Sequence, residues 1–113
     1  IRFYTDGLGF REKIAWGEAP ARAVMLDTGD GNYLELFERE TVPSYAGEAP
    51  ILHLCFRSEN VEKAFQTAIL AGGKEKLAPK VPDPFTKLGL ITKICFIEGP
   101  SGEVVEFFES PDL

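Results

Sequence analysis

Short apolar–polar runs of two-residue period fill most of the chain, and one stretch switches to helical spacing. Ile51–Arg57 is apolar and strand-like. Ser58 is then a plausible N-cap, and Val61, Ala64, Phe65 and Ala68 recur at the spacing of one helix face. Gly72-Gly73 stops that helix, because glycine accepts the left-handed conformation of a C-cap. A short strand over Lys74–Leu77, a loop Ala78–Gly89 with three prolines, a strand Ile91–Ile97, a turn Gly99–Gly102 and a last strand Glu103–Glu109 follow. Upstream, the pattern predicts a helix Ile1–Leu8 ended by Gly9, strands near Phe10–Trp16 and Arg22–Asp27, a turn at Asp30-Gly31-Asn32, and a strand Tyr33–Glu38.

These two runs of elements are copies of one another. Gly31-Asn-Tyr-Leu-Glu-Leu-Phe-Glu38 matches Gly102-Glu-Val-Val-Glu-Phe-Phe-Glu109 at an offset of 71, and Phe3–Leu8 matches Phe65–Leu70 at an offset of 62. The difference places about nine extra residues in the proline-rich stretch 78–89 of the second copy. The unit reads strand, helix, then three strands. The first copy begins inside its helix, so the repeat predicts a strand before Ile1, and the opening Ile in place of Met fits a missing start. The expected fold is α+β, one domain over 1–113 built of two tandem β-α-β-β-β modules, 1–46 and 47–113, that form a curved mixed-sheet cup.

Three polar residues interrupt apolar rows. Glu35 alternates with Tyr33 and Phe37, Glu106 with Val104 and Phe108, and His53, the single histidine, with Ile51 and Cys55. A buried charge without a partner costs several kcal/mol, so these residues need partners. Hydrogen bonding within a core, or an open sheet face, would satisfy each of them alone. Taken together, two carboxylates and an imidazole suit a divalent ion such as Zn²⁺, Ni²⁺, Mn²⁺ or Fe²⁺. Glu35 and Glu106 are repeat-equivalent, so a pseudo-twofold axis could bring them together, with a mate for His53 in the missing strand. Glu38 and Glu109 fall on the opposite face and read as solvated surface. Gly7 and Gly9 lack the spacing of a phosphate loop, and no Gly-x-Ser-x-Gly motif is present.

Charge narrows the partners. Twelve basic against 18 acidic residues give a net charge of −6, which argues against a nucleic-acid surface or anionic lipid. No apolar run approaches the ~20 residues of a membrane helix. Two cysteines, Cys55 and Cys95, make no disulfide framework and read as free buried thiols in a reducing, cytoplasmic setting. Open sheet edges demand cover, which suggests a homodimer.

Phe3-Tyr-Thr-Asp-Gly-Leu-Gly-Phe10, Ile51-Leu-His-Leu-Cys-Phe56 and Phe96-Ile-Glu-Gly-Pro-Ser-Gly-Glu-Val-Val-Glu-Phe107 stand in an order that resembles the vicinal oxygen chelate superfamily. Its members include glyoxalase I, bleomycin-resistance proteins, extradiol dioxygenases, methylmalonyl-CoA epimerase and fosfomycin-resistance enzymes. The resemblance spans nearly the whole chain and implies two modules forming a cup around a metal. It implies Glu35, His53 and Glu106 as metal ligands, and a fourth ligand on the strand before Ile1. It further implies a lyase or isomerase that binds adjacent oxygens of a small substrate and stabilises an enolate, with Glu106 or Glu35 as base. Arg39 stands where glyoxalase I commonly carries a substrate-contacting Asn, a departure from a strict glutathione lyase. The alternatives are a metal-free binding protein of the bleomycin-resistance kind, with Trp16, Phe85 and Phe108 lining the cup around a flat cationic ligand, or a ring-cleaving dioxygenase. The loop Ala78–Leu90, with Lys80, Asp83, Phe85 and Lys87, is a further place for substrate contacts.

Overall fold

Alternating apolar positions give seven strands, and they sort into two sheets in a computed structural model that describes residues 1–41 and 51–112. In the first sheet β1 (Arg11–Trp16), β2 (Ala23–Asp27) and β3 (Tyr33–Phe37) form an antiparallel meander in the order β1-β2-β3. In the second, β4 (Leu54–Arg57), β5 (Lys74–Lys80), β6 (Lys93–Glu98) and β7 (Val104–Glu109) take the order β4-β7-β6-β5. The β4–β7 pair is parallel and the other pairs are antiparallel, so this sheet is mixed. The expected α+β architecture with mixed sheet is thus present, its described strands divided between a three-stranded and a four-stranded sheet. The expected module boundary, between residues 46 and 47, lies outside the described residues.

The offset of 71 survives in three dimensions, since β2 and β3 stand to their sheet as β6 and β7 stand to theirs. Glu35 and Glu106 each occupy the third residue of the last strand. A π-helical segment, Phe3–Gly7, is the counterpart of α1 (Val61–Leu70). Asn60, not Ser58, caps α1: its side chain accepts from Lys63 N, while Ser58 Oγ accepts from Asn60 N at 3.1 Å. The proline-rich connection is more ordered than expected. β5 runs on to Lys80, and a short helix α2 (Asp83–Lys87) follows, with Pro84 in its first turn where a missing N–H does no harm.

The helical segments pack against each other on one side of both sheets. Val24 and Leu26 of the first sheet and Cys95, Ile97, Val105 and Phe107 of the second share one core with Phe3, Val61 and Ala68. Two glycines permit the close approach. A Cβ on Gly7 would lie 2.9 Å from Ala71 Cβ, and one on Gly73 would lie 2.6 Å from Ile97 Cγ2. Phe10 joins the modules, stacking on Tyr4 and meeting Phe56 edge-on at 5.3 Å. Tyr4 Oη donates to Glu103 Oε1 at 2.8 Å, and burial, followed by that bond and the charge of Glu103, holds the phenol well above its ordinary range. The radius of gyration is 15.4 Å, against about 13 Å for a compact chain of this length, and the extents are 50 × 32 × 24 Å.

Candidate functional site

On the open side of the second sheet one carboxylate is buried. Glu106 lies in β7, a central strand, with Cys55 of β4 as its Cα partner on one side and Phe96 of β6 on the other. These neighbours leave Glu106 only 8% exposed. His53 immediately precedes β4, and its Nε2 lies 3.0 Å from Glu106 Oε2. Phe96 meets the imidazole edge-on, with ring centroids 5.2 Å apart, and so fixes its plane. The Cys55 thiol donates to the Glu106 carboxylate. Partial desolvation of the sulfur, then the charge of Glu106 and that hydrogen bond, push the thiol up to about 11. Cys55 is therefore held protonated at neutral pH. It is also exposed, contrary to the expected burial, because it stands on the open face of an edge strand. Cys95 is buried and free as expected.

The other expected ligand stands elsewhere. Glu35 sits in β3 opposite Met25 on the corresponding face of the first sheet, and it is exposed. Among the described residues no group of three or more His, Cys, Asp or Glu side chains could hold a metal ion. The burial argument made for Glu35 from its Tyr33 and Phe37 neighbours thus fails, since that whole face is open: both aromatics are exposed too. Ile51 and Leu52, expected inside a strand, are 70% and 72% exposed and precede β4.

The aromatic residues expected to line one cup fall into two places. Trp16 packs edge-on against Phe37 in the first sheet, and Phe85 of α2 packs edge-on against Phe108 of β7 in the second. Arg39 is exposed; its guanidinium lies over the Phe37 ring, 5.7 Å from the centroid, and donates to Glu38 O at 2.9 Å. A cavity of about 730 Å³ opens beside Trp16, Phe37, Tyr4 and Glu103, and none of Glu35, His53 or Glu106 lines it.

The two residues read as solvated surface are structural. Glu38 takes both Nε and Nη2 of Arg22, at 2.8 and 2.6 Å, and these bonds hold its carboxyl down to about 2. Glu109 accepts from Val61 N at 2.8 Å, which satisfies a free donor at the start of α1. Cys55 and Phe96 were missed as neighbours of Glu106, and the signal for them is register. Once β4 and β6 pair with β7, the residues opposite Glu106 are fixed.

The family model described as the glyoxalase/bleomycin resistance protein/dioxygenase superfamily matches residues 1–107. No curated protein matches the chain. Among solved structures, a glyoxalase I mutant from Zea mays is similar at 23% identity and a TM-score of 0.77, covering 96% of this chain and 41% of that one. A glyoxalase family protein from Enterococcus faecalis is similar at 26% identity and a TM-score of 0.70, covering 96% of this chain and 84% of that one. A glyoxylase/bleomycin resistance protein/dioxygenase domain from Frankia sp. EAN1pec aligns at 16% identity and a TM-score of 0.73, covering 96% and 84%. The chain spans about two fifths of the length of the maize protein. No helix among the described residues is long and apolar enough to cross a membrane.

Proposed function

The chain belongs to the glyoxalase/bleomycin resistance protein/dioxygenase superfamily, and from that premise we propose that it is a metal-dependent lyase or isomerase of the glyoxalase type, acting on a small molecule with adjacent oxygens. The observation that carries this reading is the His53–Glu106 pair, an imidazole nitrogen and a carboxylate oxygen 3.0 Å apart on an open sheet face. An imidazole and a carboxylate are the donors that Zn²⁺, Ni²⁺, Mn²⁺ and Fe²⁺ share, and two donors make half of a site. A bound ion of this kind would supply Lewis acidity to two adjacent substrate oxygens.

The chain's own residues do the rest. His53 and Glu106 would hold the ion, with Phe96 edge-on against the imidazole and the Cys55 thiol beside the carboxylate to orient them. Glu35, repeat-equivalent to Glu106 and exposed on the matching face, supplies a third oxygen or the base that moves a substrate proton. It does so when the face of β1–β3 in one copy closes over that of β4–β7 in another, which makes the working form a homodimer. The free thiol of Cys55 fits a cytoplasmic location.

Metal content per folded chain tests the reading, on protein never exposed to chelator. One divalent ion, lost in His53→Ala and Glu106→Ala, supports it. A folded protein that takes up none of the four ions refutes it. A second reading, a metal-free small-molecule binding protein of the bleomycin-resistance type, is favoured by the convergence of only two donors among the described residues. A ring-cleaving dioxygenase would need the same metal centre and is separated by substrate screening.

A further inference from the structure

The cavity of about 730 Å³ takes no part in the reading above, yet its volume is one that a small organic molecule fills. It opens at the end of the first sheet where β1 and β3 finish, beside Trp16 and Phe37. Ala15, Val24 and Leu36, partners in register, form an apolar row in its lining. Val24 belongs to the core shared with the helical segments, so alternation puts this row on the face opposite Glu35. Tyr4 of the π-helical segment and Glu103 of the turn between β6 and β7 line the cavity as well.

Two carboxylates stand in that lining, and only one of them is neutralised. Glu38 pairs with Arg22, whose Nη2 lies 2.6 Å from its Oε1. Glu103 has no cation beside it among the described residues. Its Oε1 accepts from Tyr4 Oη at 2.8 Å and its Oε2 from Ser101 N at 2.9 Å, and both donors are uncharged. A carboxylate has about four acceptor sites, so about two stay open. The chain is shaped to hold this group, because a Cβ on Gly99 would collide with the Glu103 carboxyl. The repeat does not demand it, since the offset of 71 puts Asn32 at the matching position.

We propose that this cavity is a binding site for an organic amine with an apolar, ring-sized body. The ammonium donates to the open acceptor sites of Glu103 and supplies the cation that this carboxylate lacks. The body lies along the row of Ala15, Val24 and Leu36 and covers Trp16 and Phe37, which are 42% and 51% exposed without it. The site shares no residue with the His53–Glu106 face, so it stands or falls apart from the metal reading.

Trp16 is the single tryptophan of the chain, so its emission reads the cavity directly. The test is titration of 4-phenylbutylamine, 4-phenylbutanol and 4-phenylbutyrate into the protein with EDTA present, followed by Trp16 fluorescence and calorimetry. The expected result is saturable binding of the amine with Kd lower by about tenfold or more than for the alcohol, as a charge-assisted hydrogen bond in place of a neutral one gives. The acid should bind more weakly than either. Glu103→Gln should abolish the preference for the amine and leave the alcohol within about threefold of its wild-type Kd. Ala15→Phe stands at an exposed position, leaves Tyr4 and Glu103 intact and fills the apolar row, so it should weaken the amine by about tenfold or more. Equal Kd for amine and alcohol, no saturable binding of the amine, or a Glu103→Gln protein that keeps the preference overturns the proposal. Unchanged amine binding in Ala15→Phe overturns it too, because the amine then sits elsewhere on an acidic surface. Where Glu103→Gln unfolds through loss of the tie to Tyr4, the wild-type comparison and Ala15→Phe decide. EDTA keeps the metal reading out of the result: a protein that takes up no ion still reports on Glu103, and one that loads metal but ignores the amine loses only this site.

Discussion

Glu106→Gln separates what the buried carboxylate does for stability from what it does for a ligand. The side chain keeps its shape and loses its charge. In the ion-free protein two effects oppose each other. His53 Nε2 lies 3.0 Å from the carboxylate, and a hydrogen bond to a charged group is worth about 1.5–3 kcal/mol where the nitrogen carries a proton. The carboxylate side chain is only 10% exposed, and its desolvation costs a comparable amount, about 1–3 kcal/mol. The amide still accepts from His53 and Cys55, so part of the bonding survives. The net change is then within about 1 kcal/mol, which for a domain of this size is a Tm shift of roughly 4–8 °C or less in either direction. Metal binding has no such compensation, because an amide oxygen replaces an anionic donor that is half of the pair. The affinity for Zn²⁺ or Ni²⁺ should fall by at least about 100-fold, or about 2.7 kcal/mol. Isothermal titration calorimetry on the ion-free protein gives the affinity and differential scanning calorimetry the Tm. An affinity within about threefold of wild type would show that Glu106 is not a ligand. A Tm loss beyond about 15 °C would show that the carboxylate is a structural element of the sheet.

Three other perturbations follow from geometry and charge. Gly73→Ala places a methyl 2.6 Å from Ile97 Cγ2 and 2.8 Å from the Phe3 ring, so chemical denaturation should show a loss of about 1–3 kcal/mol. Glu38 is held down to about 2 by Arg22, below its ordinary 4.5, so the stability it contributes is present above that ordinary value and lost as pH falls through about 2. The Tm difference between wild type and Arg22→Ala should therefore narrow from pH 5 to pH 2, and a constant difference would show that the pair does not act through charge. Cys55 is pushed up to about 11 partly by Glu106, so Glu106→Gln should lower that value and speed iodoacetamide alkylation of Cys55 at pH 8, read by mass spectrometry. Cys95, buried in the core, should stay unlabelled until the protein unfolds.

Elements with a local cause were legible in the chain. The helix over Val61–Leu70 followed from apolar spacing and Gly72, which takes φ of +107° just past its end. The equivalence of β3 and β7 followed from four identical residues at one spacing in two eight-residue segments, because a repeated sequence meets the same packing problem twice. What failed depended on neighbours far away. The capping role of Glu109 needs α1 packed beside β7. The α2 helix begins in a run of prolines that alone reads as loop, and the Phe85–Phe108 contact ties it to the sheet.

The site divides along the same line, and the division says what a carboxylate in an apolar row can mean. Glu35 and Glu106 have similar sequence surroundings, yet one is exposed and the other buried against an imidazole. The difference is the strand beside each. β7 lies between β4 and β6, so Glu106 has a neighbour on both sides and finds Cys55 in the added strand and His53 just before it. Among the described residues β3 pairs with β2 alone, so Glu35 has Met25 as its one cross-strand partner there. Alternation can state that a charge interrupts an apolar face; only strand order states whether that face is covered. A second strand beside β3, bearing a donor at the position of His53, would give Glu35 the surroundings of Glu106. Variants that alter Glu35 are thus expected to affect metal affinity only in assemblies where that face is closed, while His53 and Glu106 variants act in every form of the protein.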